Sequence, residues 1–491
     1  MATRNLLSGT VTLSAALAND RNMLHALQYP QQKEAFYKQL KSHGPLLADV
    51  VAHHLGTKSS EVHISPQEYW RHGSFNLCVP VVVDADPSAR PRVPQYMTNP
   101  GNSDEKINCE AATYAWLREN CPTVPIPNLY GFGLSTNRRV RNYLLAALRF
   151  PQPSPYVSHF SSRFVGLDVG YLLIETIHSG KMLSETWDGH CKDIRRQQNL
   201  QRDLARIMIS LAKISLPRIG SFRLDEKGYI RLDNRPLSIQ FTMQENEGIP
   251  LGISRETTFS RVDDFFQAHL TAFENRLLHQ PNGVRSYDDA CYQMTGLVIA
   301  QTVLPRVFRK ELNSGPFVYS LTDIHRSNII VDDDWNVICM LDLEFACSLP
   351  VEFIHPPFWF DGQSVDQIDP HGYAPKHKGF VEHVKHEEQL QNSKRDGEPL
   401  SSIMQQSWDN GTFWLTHAVG HPISFEGLLF DQLLTHYFSM TSQDLHKIDQ
   451  TFFARLWRRN TSSIIDLKLQ DTEKYTEKLK EFFNETSSPV I

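Results

Sequence analysis

The sequence predicts an α+β fold, with its clearest strand signals in the first part of the chain and mainly helical patterns after Ile177, on three observations. Val62 to Asp84 sets strand-forming runs on both sides of a glycine-bearing turn, and Val169 to Ile177 is a nearly continuous apolar run suited to a buried strand. Leu200, Leu204, Ile207, Met208 and Leu211 recur at helical spacing on one face.

Composition bounds the function classes. With 491 residues, 41% hydrophobic and 21% charged, the chain reads as a globular protein of about two or three units. A net charge of −6 argues against nucleic-acid binding as its main business. Seven scattered cysteines, with no CxxC pair and an odd count, form neither a zinc nor a disulfide framework, so a reducing, cytoplasmic setting is expected. No run approaches the ~20 apolar residues that span a bilayer, so no membrane partner is expected. The first twenty residues read as a frayed or helical N-terminus, with a weak targeting signal as the alternative.

Taken in order, Arg21 to Leu55 is helical, with Phe36, Leu40 and Leu47 available to one side. Ala89 to Met97 reads as a strand, but Pro91 and Pro94 suit it only to an edge or a short length. Asp104 to Arg118 reads as a helix opened by acidic residues. Glu110 shares a face with Ile107 and Tyr114, and a carboxylate on a buried face requires a partner; Lys106, one turn earlier, offers one. Leu134 to Leu167 carries five arginines and no acid, which reads as a solvated surface excursion or a basic patch for an anionic partner. Val262 to Leu278 and Asp288 to Leu304 read as helices. Val351 to Phe360 is aromatic and kinked by Pro356-Pro357. His383 and His386 do not match zinc-protease spacing.

The chemistry concentrates between Pro316 and Pro350. Phe317, Tyr319 and Leu321 alternate as strand residues do, and the apolar runs Ile329 to Val331 and Val337 to Leu341 are joined by a polar Asp332-Asp333-Asp334-Trp335-Asn336 turn. Asp323 leaves the first run, Asn328 enters the second and Asp342 follows the third, so a hairpin folds Asp342 back toward Asn328. Two of these oxygen side chains suit a hard cation such as Mg²⁺. The third is placed to accept a proton or orient a nucleophile.

The spacing Asp-x-x-x-x-Asn, hairpin, Asp, and the runs "TDIHRSNI", "DDDW" and "LDLE", resemble the aminoglycoside phosphotransferase and choline kinase group, most closely its fungal members. The resemblance covers roughly Glu61 to Phe360. It implies a two-lobed protein-kinase-like fold, a small β-rich lobe followed by a large helical one. The domains would be 1–57, a helical extension; 58–178, the first lobe, with the basic insertion at 134–167; and 179–491, the second, with the hairpin at 316–350.

By position, the resemblance makes Asp323 the residue that serves the acceptor hydroxyl, and Asn328 and Asp342 the Mg²⁺ ligands. It places Gly73, Ser74 and Asn76 in the nucleotide-covering loop, Arg92 as the phosphate-binding cation with Glu110 holding it, and Glu175 to Ile177 in a hinge that lends backbone groups to adenine. Val351 to Phe360 then reads as a hydrophobic anchor or the wall of an acceptor pocket. Two departures stand out: Leu321-Thr322 replaces the usual His-Gly, and the strand of Arg92 has no lysine. Two functions therefore stay open. One is an ATP- and Mg²⁺-dependent phosphotransferase acting on a hydroxyl or amine of a small molecule, and the other a catalytically degenerate binding module. A protein kinase is disfavoured, since DFG and APE sequences are absent.

Overall fold

The computed structural model describes residues 3–73, 75–84, 89–94, 100–135, 139–142, 156–159, 169–391, 397–435 and 438–484. Helices α1 (Tyr29–Ser42) and α2 (Gly44–Leu55) precede an antiparallel sheet of seven strands. In chain order the strands are β1 (Arg71–His72), β2 (Asn76–Cys78), β3 (Ala89–Pro94), β4 (Leu129–Gly133), β5 (Arg139–Asn142), β6 (Tyr156–His159) and β7 (Tyr171–Glu175). In space they run β6-β5-β4-β7-β3-β2-β1. The expected apolar side of the helices meets this sheet: Leu40, Leu47 and Val50 share a buried cluster with Trp70, Leu77 and Tyr171, with Phe36 packed against it.

Of the two expectations for the proline-bearing strand, an edge position or a short length, the structure shows the second. β3 lies inside the sheet, with Leu172 and Leu173 of β7 opposite Arg92 and Pro91 on one side, and Leu77 and Cys78 of β2 opposite Val93 and Arg92 on the other. Each proline removes one N–H and leaves its carbonyl, so a strand this short still pairs on both sides through its other residues. The arginine-rich stretch supplies β5 and β6, which extend the sheet at its far end.

Helix α3 (Pro100–Asn120) is longer than expected. Ile107, Ala111 and Leu117 bury against the sheet side chains Phe132 and Leu172 and against Phe222 and Leu224. A buried ionic group fixes its start: Arg235 holds Glu105 at 2.8 Å and Glu245 at 2.6 Å. Beyond β7, Gly180 makes the turn at φ +82°, where an added Cβ would lie 2.6 Å from the carbonyl oxygen of Val331, so only glycine fits.

Helix α4 (Ile194–Ala212) buries its whole predicted stripe, Leu200, Leu204, Ile207, Met208 and Leu211, and Asp193 caps it by accepting the Arg196 N–H at 3.2 Å. Truncating a fully buried leucine such as Leu204 costs about 2–5 kcal/mol. Helices α5 (Val262–His279) and α6 (Tyr287–Val307) build a second apolar core. No described helix is long and apolar enough to cross a membrane.

Candidate active site

Six short strands form two small sheets that frame the site: β8 (Lys181–Met182), β9 (Ser215–Leu216), β10 (Phe317–Ser320), β11 (Ile329–Val331), β12 (Val337–Met340) and β13 (Cys347–Pro350). β11 and β12 form the expected hairpin, with Ile329 opposite Met340, and β8 adds to its side. The turn residue Asp332 closes it, accepting the backbone N–H groups of Asp334 and Asn336 at 2.9 Å each. The first apolar run belongs to the other sheet. There β10 pairs with β13 in a register that sets Ser320 opposite Cys347. Cys339 and Cys347 are buried strand residues, and burial pushes both thiols up to about 12.

Chain topology thus brings the predicted residues to one end of the hairpin. Asn328 lies immediately before β11, and its carbonyl accepts the Leu341 N–H at 2.8 Å, so Asp342 is one residue beyond a cross-strand partner of Asn328. Asn328 Nδ2 donates to the Asp323 carboxylate Oδ2 and to its backbone oxygen, both at 3.0 Å. That bond turns Asn328 Oδ1, the atom a hard cation takes, to the opposite side of the amide. Asp342 sits in the left-handed region at φ +61°, which is uncommon for a residue with a Cβ and concentrates at functional positions.

Two further bonds latch the loops together. Thr322 Oγ1 donates to the Phe345 carbonyl at 2.7 Å, joining the Asp323 loop to the turn after Asp342. Trp359 Nε1 donates to the Ile324 carbonyl at 2.7 Å. His325 faces Trp359 edge-on, and burial holds its pKa below the ordinary value.

A second group connects this turn to the sheet. Lys106 Nζ, on α3, lies 2.6 Å from Glu344 Oε2; Asn76 Nδ2 donates to the same carboxylate at 2.7 Å, and Lys106 donates to Asn76 Oδ1 at 2.9 Å. All three side chains are buried. Asn76 therefore uses its amide inside the protein, between the loop and the ion pair. The intrahelical role considered for Lys106, as a partner of Glu110, gives way to Glu344. Glu110 itself is fully buried on α3. The side chain of Arg92 and all of Ser74 lie outside the described residues. Gly73 donates its N–H to the Asn76 carbonyl at 2.9 Å, and a side chain there would meet nothing within 4 Å among the described residues.

Glu175 ends β7. Its N–H donates to the Asn128 carbonyl at 2.8 Å and its carboxylate accepts the Asn128 N–H at 3.0 Å. Ile177 is half-buried in the connection that runs on to Gly180 and β8.

Sequence reasoning missed the pairing of Lys106 with Glu344 and the bond that Thr322 makes. Glu344, an acid among the apolar residues Leu343, Phe345 and Ala346, was the available signal for the pair; Lys106 lies among polar residues and gave none. The Thr322 bond depends on a carbonyl over twenty positions away and leaves no local pattern.

Asp323 also lines a cavity of about 310 Å³ that opens between β10, α5 and the segment from Phe353 to Trp359. The kinked aromatic segment is thus a pocket wall as well as an anchor. Among the described lining residues, Asp323 is the sole Asp, Glu, Lys or Arg; five are histidines. Burial lowers His269 to about 4 and His355 to about 3, and holds His417 and His421 below the ordinary value, so these imidazoles are neutral at pH 7.

No family model matches this sequence, and no curated protein does. Among solved structures, the streptomycin–ATP ternary complex of the aminoglycoside phosphotransferase APH(2")-IIa aligns with a TM-score of 0.37 and 8% identity, over 81% of this chain and 97% of that chain. The likeness is distant.

Proposed function

We propose that this chain is an ATP- and Mg²⁺-dependent phosphotransferase of two-lobed, kinase-like build that phosphorylates a hydroxyl of a small molecule. The observation that carries the reading is the bond from Asn328 to the Asp323 carboxylate, at the end of a hairpin that delivers Asp342 beside Asn328. Asn328 fixes the carboxylate and directs its own carbonyl oxygen elsewhere. Together with the Asp342 carboxylate, that oxygen is a fitting hard-cation donor pair. Bound there, Mg²⁺ supplies charge neutralisation for the β- and γ-phosphates.

Asp323 orients the acceptor hydroxyl and takes its proton as the oxygen bonds to the γ-phosphorus. The bond from that phosphorus to the bridging oxygen breaks, its electron pair stays on the departing ADP, and the proton passes from Asp323 to water. Thr322 and Trp359 hold the loop that presents the carboxylate. Gly73 lies in the turn between β1 and β2 that would be laid over the nucleotide.

The other reading, a binding module without catalysis, is favoured by one observation: the cation that α3 brings beside the Asp342 turn, Lys106, is already neutralised by Glu344. Thermal unfolding with ATP, with and without Mg²⁺, separates the two. Stabilisation by ATP that requires Mg²⁺ and disappears in Asp342→Asn supports the enzyme. No Mg²⁺-dependent shift supports the module.

A further inference from the structure

The cavity beside Asp323 has a chemistry that narrows the acceptor. Its wall is built from aromatic and aliphatic side chains, among them Phe241, Phe265, Phe353 and Phe358, and it closes on the one carboxylate that the proposed transfer needs. A polycationic acceptor brings several ammonium groups, each of which requires an anion or dense hydration once enclosed. The described wall offers a single carboxylate, already accepting from Asn328. A sugar brings a hydroxyl on nearly every carbon, and few polar wall groups stand ready for them. Gln240, Ser320 and the imidazoles are the main ones, and Ser238 Oγ already accepts the Phe241 N–H. An anionic acceptor finds no cationic side chain among the described lining residues, because the histidines are neutral there.

What the wall does offer is apolar area and a small number of uncharged polar contacts. His355 Nδ1 and His417 Nε2 are buried and have no hydrogen-bond partner among the described residues, although His355 Nε2 meets Thr416 Oγ1 at 2.6 Å. Their rings face each other with centroids 5.6 Å apart. Both nitrogens are sealed from solvent, so neither adds a polar contact for an occupant, and the wall keeps its apolar character. The volume, about 310 Å³, lies at the small end of the roughly 300–1,000 Å³ range of small-molecule sites.

We infer that the acceptor is a small, uncharged, mainly apolar alcohol or phenol, seated in the aromatic cavity with its hydroxyl at Asp323. This rests on the phosphotransferase reading and goes beyond it in naming the acceptor class. The transfer is the one balanced above: the acceptor gives up its hydroxyl proton and gains the phosphoryl group, and ATP becomes ADP.

The test uses the full chain with Mg²⁺ and ATP and reads ADP release with three sets of acceptors: small phenols and benzylic alcohols, kanamycin with choline, and glucose with glycerol. At least one member of the first set should raise ADP release tenfold or more over the acceptor-free rate, while the other sets leave it within twofold. Phe358→Ala should shift the preference toward bulkier members of the first set. Val419→Asp, which places a second carboxylate in the wall, should abolish the stimulation by neutral alcohols.

Stimulation by the cations or sugars and not by the alcohols overturns the acceptor assignment and leaves the phosphotransferase reading standing. If ATP does not bind at all, thermal unfolding with the alcohols alone still decides the matter. A saturable shift that Phe358→Ala alters upholds the apolar site, and no shift with any of them overturns it.

Discussion

Lys106 Nζ and Glu344 Oε2 lie 2.6 Å apart with both side chains almost fully buried, and so join helix α3 to the turn that carries Asp342. Two charges removed from water hold each other in place only while both are present and their remaining bonding capacity is met, here by Asn76. Lys106→Met leaves Glu344 buried without its cation and is expected to destabilise the protein by about 3–5 kcal/mol, read as a lower denaturant midpoint. The double variant Lys106→Met/Glu344→Leu should recover much of that loss. It should still weaken Mg²⁺-dependent ATP binding if the pair aligns the Asp342 turn. Full recovery of both stability and binding would reduce the pair to a structural tie.

Thr322 immediately precedes Asp323, and its hydroxyl bonds the Phe345 carbonyl at 2.7 Å. Thr322→Val keeps the shape and removes the donor at a partly exposed site, an expected cost of about 0.5–1 kcal/mol. Because the bond links the Asp323 loop to the turn after Asp342, the same loss should reappear as a roughly two- to fivefold weaker apparent affinity for Mg²⁺ and ATP. Titration of the variant by calorimetry measures it. An affinity equal to that of the parent protein would separate the latch from the site.

What the sequence disclosed follows the range of the interactions involved. The hairpin and the register of Asn328 with Asp342 were legible because alternation and a turn act over neighbouring residues, and the stripe from Leu200 to Leu211 because a helix repeats its face locally. The interior place of β3 was not, since it depends on β7, which lies far along the chain, pairing on the side that β2 leaves open. The Lys106–Glu344 pair joins residues on α3 and beyond β12, and only the tertiary fold selects Glu344 over the nearer Glu110. The assignments to Ser74 and to the Arg92 side chain fall outside the described residues.

On the proposed reading Asp323 serves catalysis and Asn328 serves binding, and one substitution distinguishes the two roles. In Asp323→Asn the new amide oxygen can still accept from Asn328 Nδ2, which preserves the loop, but the side chain no longer takes a proton. Phosphoryl transfer should fall by about 10²–10⁴-fold. The Mg²⁺-dependent stabilisation by ATP should stay within a degree or so of the parent value, by order-of-magnitude reasoning on an unchanged affinity. Retained turnover in this variant would remove Asp323 from its assigned role.

His377 allows a prediction for pH. Its ring stacks on Trp408 with centroids 4.7 Å apart, its side chain is almost fully buried, and burial lowers its pKa to about 4. In the unfolded chain a histidine titrates near its ordinary value of about 6.5, so below that pH protons bind the unfolded state in preference and the folded state loses stability. The contribution is fully present above pH 6.5 and declines as the pH falls toward 4. At pH 5.5 the loss from this one residue is about 1.3 kcal/mol relative to pH 7.5. His377→Phe keeps a ring against Trp408 and removes the titration, so its urea midpoint should fall less than that of the parent between pH 7.5 and 5.5. Buried histidines elsewhere, His355 and His269 among them, set the remaining slope in both proteins. An unchanged difference between the two pH values would mean that His377 is protonated within the fold.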